Sequence, residues 1–71
     1  MIPLAIAEEG KTLKVIRVTT DEKTKRHLEN LGVLHGSEIQ IISKKCGNLI
    51  LRVKDGRLAI NKDLSAKIFI E

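Results

Sequence analysis

The chain of 71 residues carries one aromatic side chain, Phe69, and neither tryptophan nor tyrosine. That shortage removes the stacking platforms on which single-strand nucleic-acid binders hold bases. It also leaves the core to Ile, Leu and Val, of which the β-branched pair favours strands. Cysteine is reduced to Cys46, so no disulfide can form within the chain, and a reducing compartment is expected. No run approaches the ~20 apolar residues of a membrane-spanning helix. The opening "MIPLAIAEEG" has an apolar stretch, but no basic residue precedes it and Glu8 and Glu9 follow, which is not the pattern of a secretory leader. The expected location is the cytoplasm.

What is present fits a small folded domain spanning residues 1–71. Hydrophobic residues make up 42% and charged residues 31%, a balance that argues against disorder. Chains of this size bury only about 60% of their unfolded surface, so a substrate-enclosing pocket would consume much of the core. The net charge of +4 comes from 13 Lys and Arg against 9 Asp and Glu. Lys23, Lys25 and Arg26 are the tightest group of three basic residues, and Asp21, Glu22 and Glu29 lie beside them, as on a solvated face.

Periodicity divides the chain into short elements. Lys11–Val18 reads as a strand whose alternation breaks at Val15-Ile16, the mark of a bulge or of burial on both faces. A helix follows from Thr19, where Thr19 and Glu22 match a capping box, to Gly32 at the C′ position. With Gly32 there, Leu28 and Val33 become the apolar pair of a Schellman closure, and Leu28 and Leu31 form a narrow buried stripe. "LHGS" reads as a type II turn with Gly36 at its third position. It launches a strand in which Ile39 and Ile41 alternate with Glu38 and Gln40. "KKCGN" is a turn, and Leu49, Leu51 and Val53 share one strand face against Ile50 and Arg52. Asp55-Gly56 is the strongest hairpin signal. Asn61 caps a helical turn through "KDLSA", and Ile68 and Ile70 alternate in the last strand. The fold expected is mainly β: a small SH3-like antiparallel barrel of five strands, with one short helix after the first and a helical turn before the last.

Catalytic and metal-binding chemistry finds little footing. His27, His35 and Cys46 lack the spacing of a metal site, so no metal ligand or cofactor is assigned. Cys46 stands beside Lys44 and Lys45, which would lower a thiol pKa, but no base is placed for it. The glycines at 10, 32, 36, 47 and 56 match neither nucleotide fingerprint. An enzyme is not expected.

"RHLENLGVLHGSEIQII" resembles the signature of the FeoA family through Leu28, Leu31, Gly32, Val33, Gly36, Ile39 and Ile41. The upstream "PLAIAEEGKTLKVIRV" is similar to the family's opening, and Gly56, Leu58, Ala66, Ile68 and Ile70 fit its ending. His35 stands where the family usually has proline, and Ile60-Asn61 where it has Leu-Arg, with Lys62 as a substitute charge. The resemblance implies a cytoplasmic accessory protein of ferrous iron transport that binds FeoB, a membrane transporter with a cytoplasmic GTPase part. Transition metal ion binding is a further expectation, with isolated chain holding ferrous iron only weakly. Similar domains form the C-terminal module of metal-dependent repressors.

The residues expected to meet the partner are Leu34, His35 and Gly36 at the corner, with Arg57, Asn61 and Lys62 along a strand edge, because turns on a rigid scaffold expose binding side chains. Leu28, Leu31, Gly32, Val33 and Gly56 are expected to be structural. The alternative reading is a basic small barrel bound to RNA or ribosomes. The two differ in salt response: phosphate binding falls steeply with salt, whereas a partly apolar protein contact does not.

Overall fold

The computed structural model describes residues 1–54 and 56–71. The elements in chain order are β1 (Ile2–Pro3), a 3₁₀ turn (Leu4–Ile6), β2 (Thr12–Val18), α1 (Glu22–Asn30), β3 (Glu38–Lys45), β4 (Asn48–Val53), β5 (Gly56–Ile60), α2 (Lys62–Ser65) and β6 (Ile68–Ile70). The strands form an antiparallel sheet of order β1-β6-β2-β3-β4-β5. The mainly β reading holds, with six strands in place of five. The extra one is β1, whose two residues include Pro3 and pair with Ile70 and Phe69. A two-residue strand cannot show alternation, so periodicity has nothing to detect there.

The sheet curls because two of its strands bend. β2 pairs with β3 through residues 12–14 and with β6 through residues 15–18, with a register shift between Val15 and Arg17. This is the place where the alternation breaks in the sequence, and a bulge there sharpens the local twist. β3 shifts register against β4 between Ile41 and Ser43. The barrel is partly open: among the described residues no ladder joins β1 to β5, so these two strands are its edges.

Inside the curl lies one aliphatic cluster. Leu4, Val15, Leu28, Val33, Ile39, Ile41, Leu49, Leu51, Ile68 and Ile70 are all nearly or fully buried. Leu49, Leu51 and Val53 face inward while Ile50 and Arg52 face out, as their alternation predicts. Phe69 is only half-buried, so the core contains no ring.

The helix begins later than the capping box implies. Asp21 is the N-cap, its carboxylate accepting the Thr24 N–H at 3.1 Å. Hydrogen bonds from Thr24, side chain and then backbone, hold the Asp21 carboxyl below the usual carboxylate range. Thr19 is occupied elsewhere: its N–H and its hydroxyl both donate to the Lys67 carbonyl, tying the end of β2 to the approach to β6. Aspartate caps as well as threonine does, so local preference alone could not choose between them.

The other end of α1 closes as its residues dictate. Val33 N–H donates to the Leu28 carbonyl at 2.8 Å and Gly32 N–H to the Glu29 carbonyl at 3.1 Å, the two bonds of a Schellman motif. Gly32 has φ +100°, and a Cβ built there would meet only ordinary contacts at 3.8 Å from Lys54 and Val53. Gly32→Ala is therefore expected to cost about 1 kcal/mol through backbone strain alone. Urea denaturation measures it, and an unchanged midpoint would contradict this closure.

Both later turns are set by short-range chemistry. Cys46 (φ +53°) and Gly47 (φ +85°) link the paired residues Lys45 and Asn48, with positive φ at both central positions as a type I′ hairpin requires. The turn predicted over "KKCGN" is thus centred on Cys46-Gly47, and Asn48 already belongs to β4. At the next hairpin, Asp55 lies outside the described residues. Gly56 is the first residue of β5, paired with Val53. Asn61 caps α2 as predicted, accepting the Leu64 N–H at 2.8 Å.

Candidate interaction surface

The corner between α1 and β3 is held from below. Gly36 N–H donates to the Val15 carbonyl at 2.7 Å, and Val15 N–H donates to the Ser37 carbonyl at 2.8 Å. Ser37 N–H donates to the Leu34 carbonyl at 2.9 Å, closing the predicted turn, and Leu34 N–H donates to the Ser37 hydroxyl at 3.2 Å. Gly36 supplies the positive φ that a type II turn needs at its third position. The turn is thereby bonded to β2 by its backbone, and of its side chains only the Ser37 hydroxyl makes a hydrogen bond within it. Leu34 is 41% exposed and His35 is exposed beside it. A large apolar side chain kept in solvent on a rigid support is what a docking surface requires.

Leu34 and His35 form one wall of a groove of about 460 Å³ between β2 and α1. Ile16 and Arg17 of β2 line it, and Lys25 and Glu29 of α1 stand opposite. Its surface is mixed: an aliphatic floor with charges of both signs along the rim. Sequence reasoning missed these β2 and α1 residues. Ile16 is the residue left over by the broken alternation of β2, and that was the available signal.

The second predicted group is divided. Arg57, exposed on β5, borders a smaller groove with Leu31 and Leu58. Asn61 lines an apolar depression on the outer face of β4 and β5, with Ile50, Ala59 and Cys46. Asn61 and Lys62 also serve the fold. Asn61 caps α2, Lys62 N–H donates to the Asn48 side chain at 3.0 Å, and the Lys62 stem packs over Gly47. The corner and the β5 edge thus line separate grooves. Of the residues expected to be structural, Leu28 and Val33 lie in the core, Leu31 and Gly32 are half-buried at the helix end, and Gly56 opens β5.

His27 is exposed on α1, His35 at the corner and Cys46 at the β3–β4 hairpin. Among the described residues, no three His, Cys, Asp or Glu side chains come together in a metal-holding group. None of the described helices is long and apolar enough to cross a membrane.

A curled antiparallel sheet around an aliphatic core, with a rigid exposed corner, defines a small SH3-like barrel. A family profile for the FeoA domain matches residues 2–71. The chain is 31% identical over 71 residues to "Putative Fe(2+) transport protein A" of Methanocaldococcus jannaschii, a match covering 100% of this chain and 87% of that protein. The chain belongs to the FeoA family. Its fold is shared with a crystal structure of an iron uptake regulatory protein (FeoA), with a TM-score of 0.85, 24% identity, and coverage of 99% of this chain and 93% of that one. It is also shared with the FeoA-like protein of Clostridium acetobutylicum, with a TM-score of 0.81, 28% identity, and coverage of 99% and 84%.

Proposed function

We propose that this chain is a cytoplasmic accessory protein of ferrous iron transport that binds the cytoplasmic GTPase part of a FeoB-type membrane transporter. Family membership supports the setting. The observation that carries the binding role is the corner at Leu34, His35 and Gly36, fixed to β2 by backbone bonds and exposed by its side chains. Arg57 on the β5 edge, and separately Asn61 and Lys62 at the start of α2, supply further contacts. The partner supplies the membrane passage and the nucleotide hydrolysis, and this chain supplies a rigid surface that favours one state of the partner over another. A ligand shifts such an equilibrium only by its difference in affinity for the two states, so the contact must distinguish them. The uncharged apolar share of the corner favours a protein partner over a phosphate backbone.

Ferrous iron uptake by cells lacking this chain tests the proposal. Uptake is expected to fall, to return with the wild-type chain, and not to return with a folded Leu34→Glu chain. Full rescue by the variant would remove the corner from the account.

A further inference from the structure

The two edges of the sheet are built differently. β1 is two residues long and includes Pro3, a common way to blunt an edge. β5 runs from Gly56 to Ile60 with no proline and no register shift. Val53 pairs with Gly56 across a two-residue connection, so Gly56, Leu58 and Ile60 turn their N–H and C=O groups toward β4. Those of Arg57 and Ala59 therefore point away from the sheet. No backbone hydrogen bond from another element among the described residues reaches either of them.

The outer face beside this edge carries an unusual pair. Arg52 and Arg57 are direct cross-strand partners, both exposed, and like charges in that position repel. Gln40 continues the row on β3. The one side-chain ion pair among the described residues joins Lys11 to Glu8, away from these arginines. On the opposite face, Leu31, Val53 and Leu58 line a groove of about 120 Å³ between β5 and the end of α1. That is room for about one aliphatic side chain.

We propose that β5 receives an extended acidic segment of a protein partner, added to the sheet as a further strand. A carboxylate opposite Arg57 lies within reach of both guanidiniums and relieves their repulsion, and the adjoining aliphatic side chain, on the other face, enters the groove of Leu31 and Leu58. Main-chain bonds to Arg57 and Ala59 supply affinity, and the alternating side chains supply selectivity. Arginine suits this role because its planar fork takes carboxylates two bonds at a time. The inference rests on the reading of the Arg57–Lys62 region as a partner contact, and gives that contact its chemistry.

The test uses the full ¹⁵N-labelled chain and a blocked peptide, Thr-Glu-Val-Glu-Val-Thr, with a lysine-for-glutamate peptide as control. The acidic peptide is expected to shift the Arg57 and Ala59 amides and slow their exchange with solvent, while the lysine peptide does neither. Arg52→Glu and Arg57→Glu are each expected to weaken binding about tenfold, by the loss of charge-assisted bonds. Ala59→Pro removes an outward N–H and leaves the β4 ladder bonded, and it is expected to weaken binding comparably. Shifts confined to other residues, equal binding of both peptides, the same shifts with inorganic phosphate, or a self-paired dimer occluding β5 would each overturn the proposal. If the GTPase part binds while the acidic peptide does not, strand addition alone fails. If the peptide binds and the GTPase part does not, the partner reading alone fails.

Discussion

Leu51→Ala is expected to lower the unfolding free energy by about 3 kcal/mol, the middle of the range for removing a buried leucine side chain. Leu51 is fully buried at the centre of β4, between β3 and β5, so the cavity has strands on both sides that cannot collapse into it. A domain of this length holds on the order of 5–10 kcal/mol in total, so the variant loses roughly a third or more of its stability. Ile50→Ala, its neighbour on the outer face, is the internal comparison. Ile50 is 40% exposed, and its truncation is expected to change stability by only about 0.5 kcal/mol. Urea denaturation of both variants, with unchanged m-values, measures the difference. Equal costs would mean that the inward and outward faces of β4 are assigned the wrong way round.

The second large effect falls on binding. Leu34→Glu is expected to weaken binding to the GTPase part by about tenfold or more, as loss of a central apolar anchor does. Its melting temperature is expected to stay near that of the wild type. The reason is geometric: the turn is bonded through the Leu34 backbone to Ser37, and the side chain is exposed. Binding and stability therefore separate at this residue. A variant that lost both would show Leu34 to be part of the core, and one that lost neither would show the corner to be a bystander. Isothermal titration paired with thermal unfolding distinguishes these results.

Much of the fold was legible because its elements announce themselves at short range. Gly32 with Leu28 and Val33 is a complete Schellman signature, and the structure makes both of its hydrogen bonds. The alternation of Leu49, Leu51 and Val53 against Ile50 and Arg52 assigns the two faces of β4 without any tertiary information. What escaped was decided at long range. Thr19 gives up the cap because the Lys67 carbonyl, 48 residues away, takes its hydroxyl. β1 exists only because Ile70 and Phe69 offer it an edge. That β1 and β5 are the two edge strands is likewise encoded by no local pattern. The same limit applied to the surface. Leu34 and His35 could be named from their turn, but the groove they share with Ile16 and Lys25 comes into being only when the fold brings residues of β2 and α1 to its walls. Nor could the sequence show that the Arg52–Arg57 pair sits beside an open edge, since that needs the order of the strands.

The charge of the chain also has a place in the proposed protein contact. Basic side chains concentrated near β4 and β5, at Arg52, Lys54 and Arg57, suit an acidic protein segment, for which a modest number of charges is enough.

The most direct test of the account is a titration of the ¹⁵N-labelled chain with the cytoplasmic GTPase part of a FeoB-type transporter, in the GTP and GDP states. The account predicts amide shifts centred on Leu34, His35 and Gly36 and along Arg57 to Lys62, with affinity that differs between the two nucleotide states. Absence of any shift at high micromolar concentration in both states, and again with the full-length transporter, would contradict it.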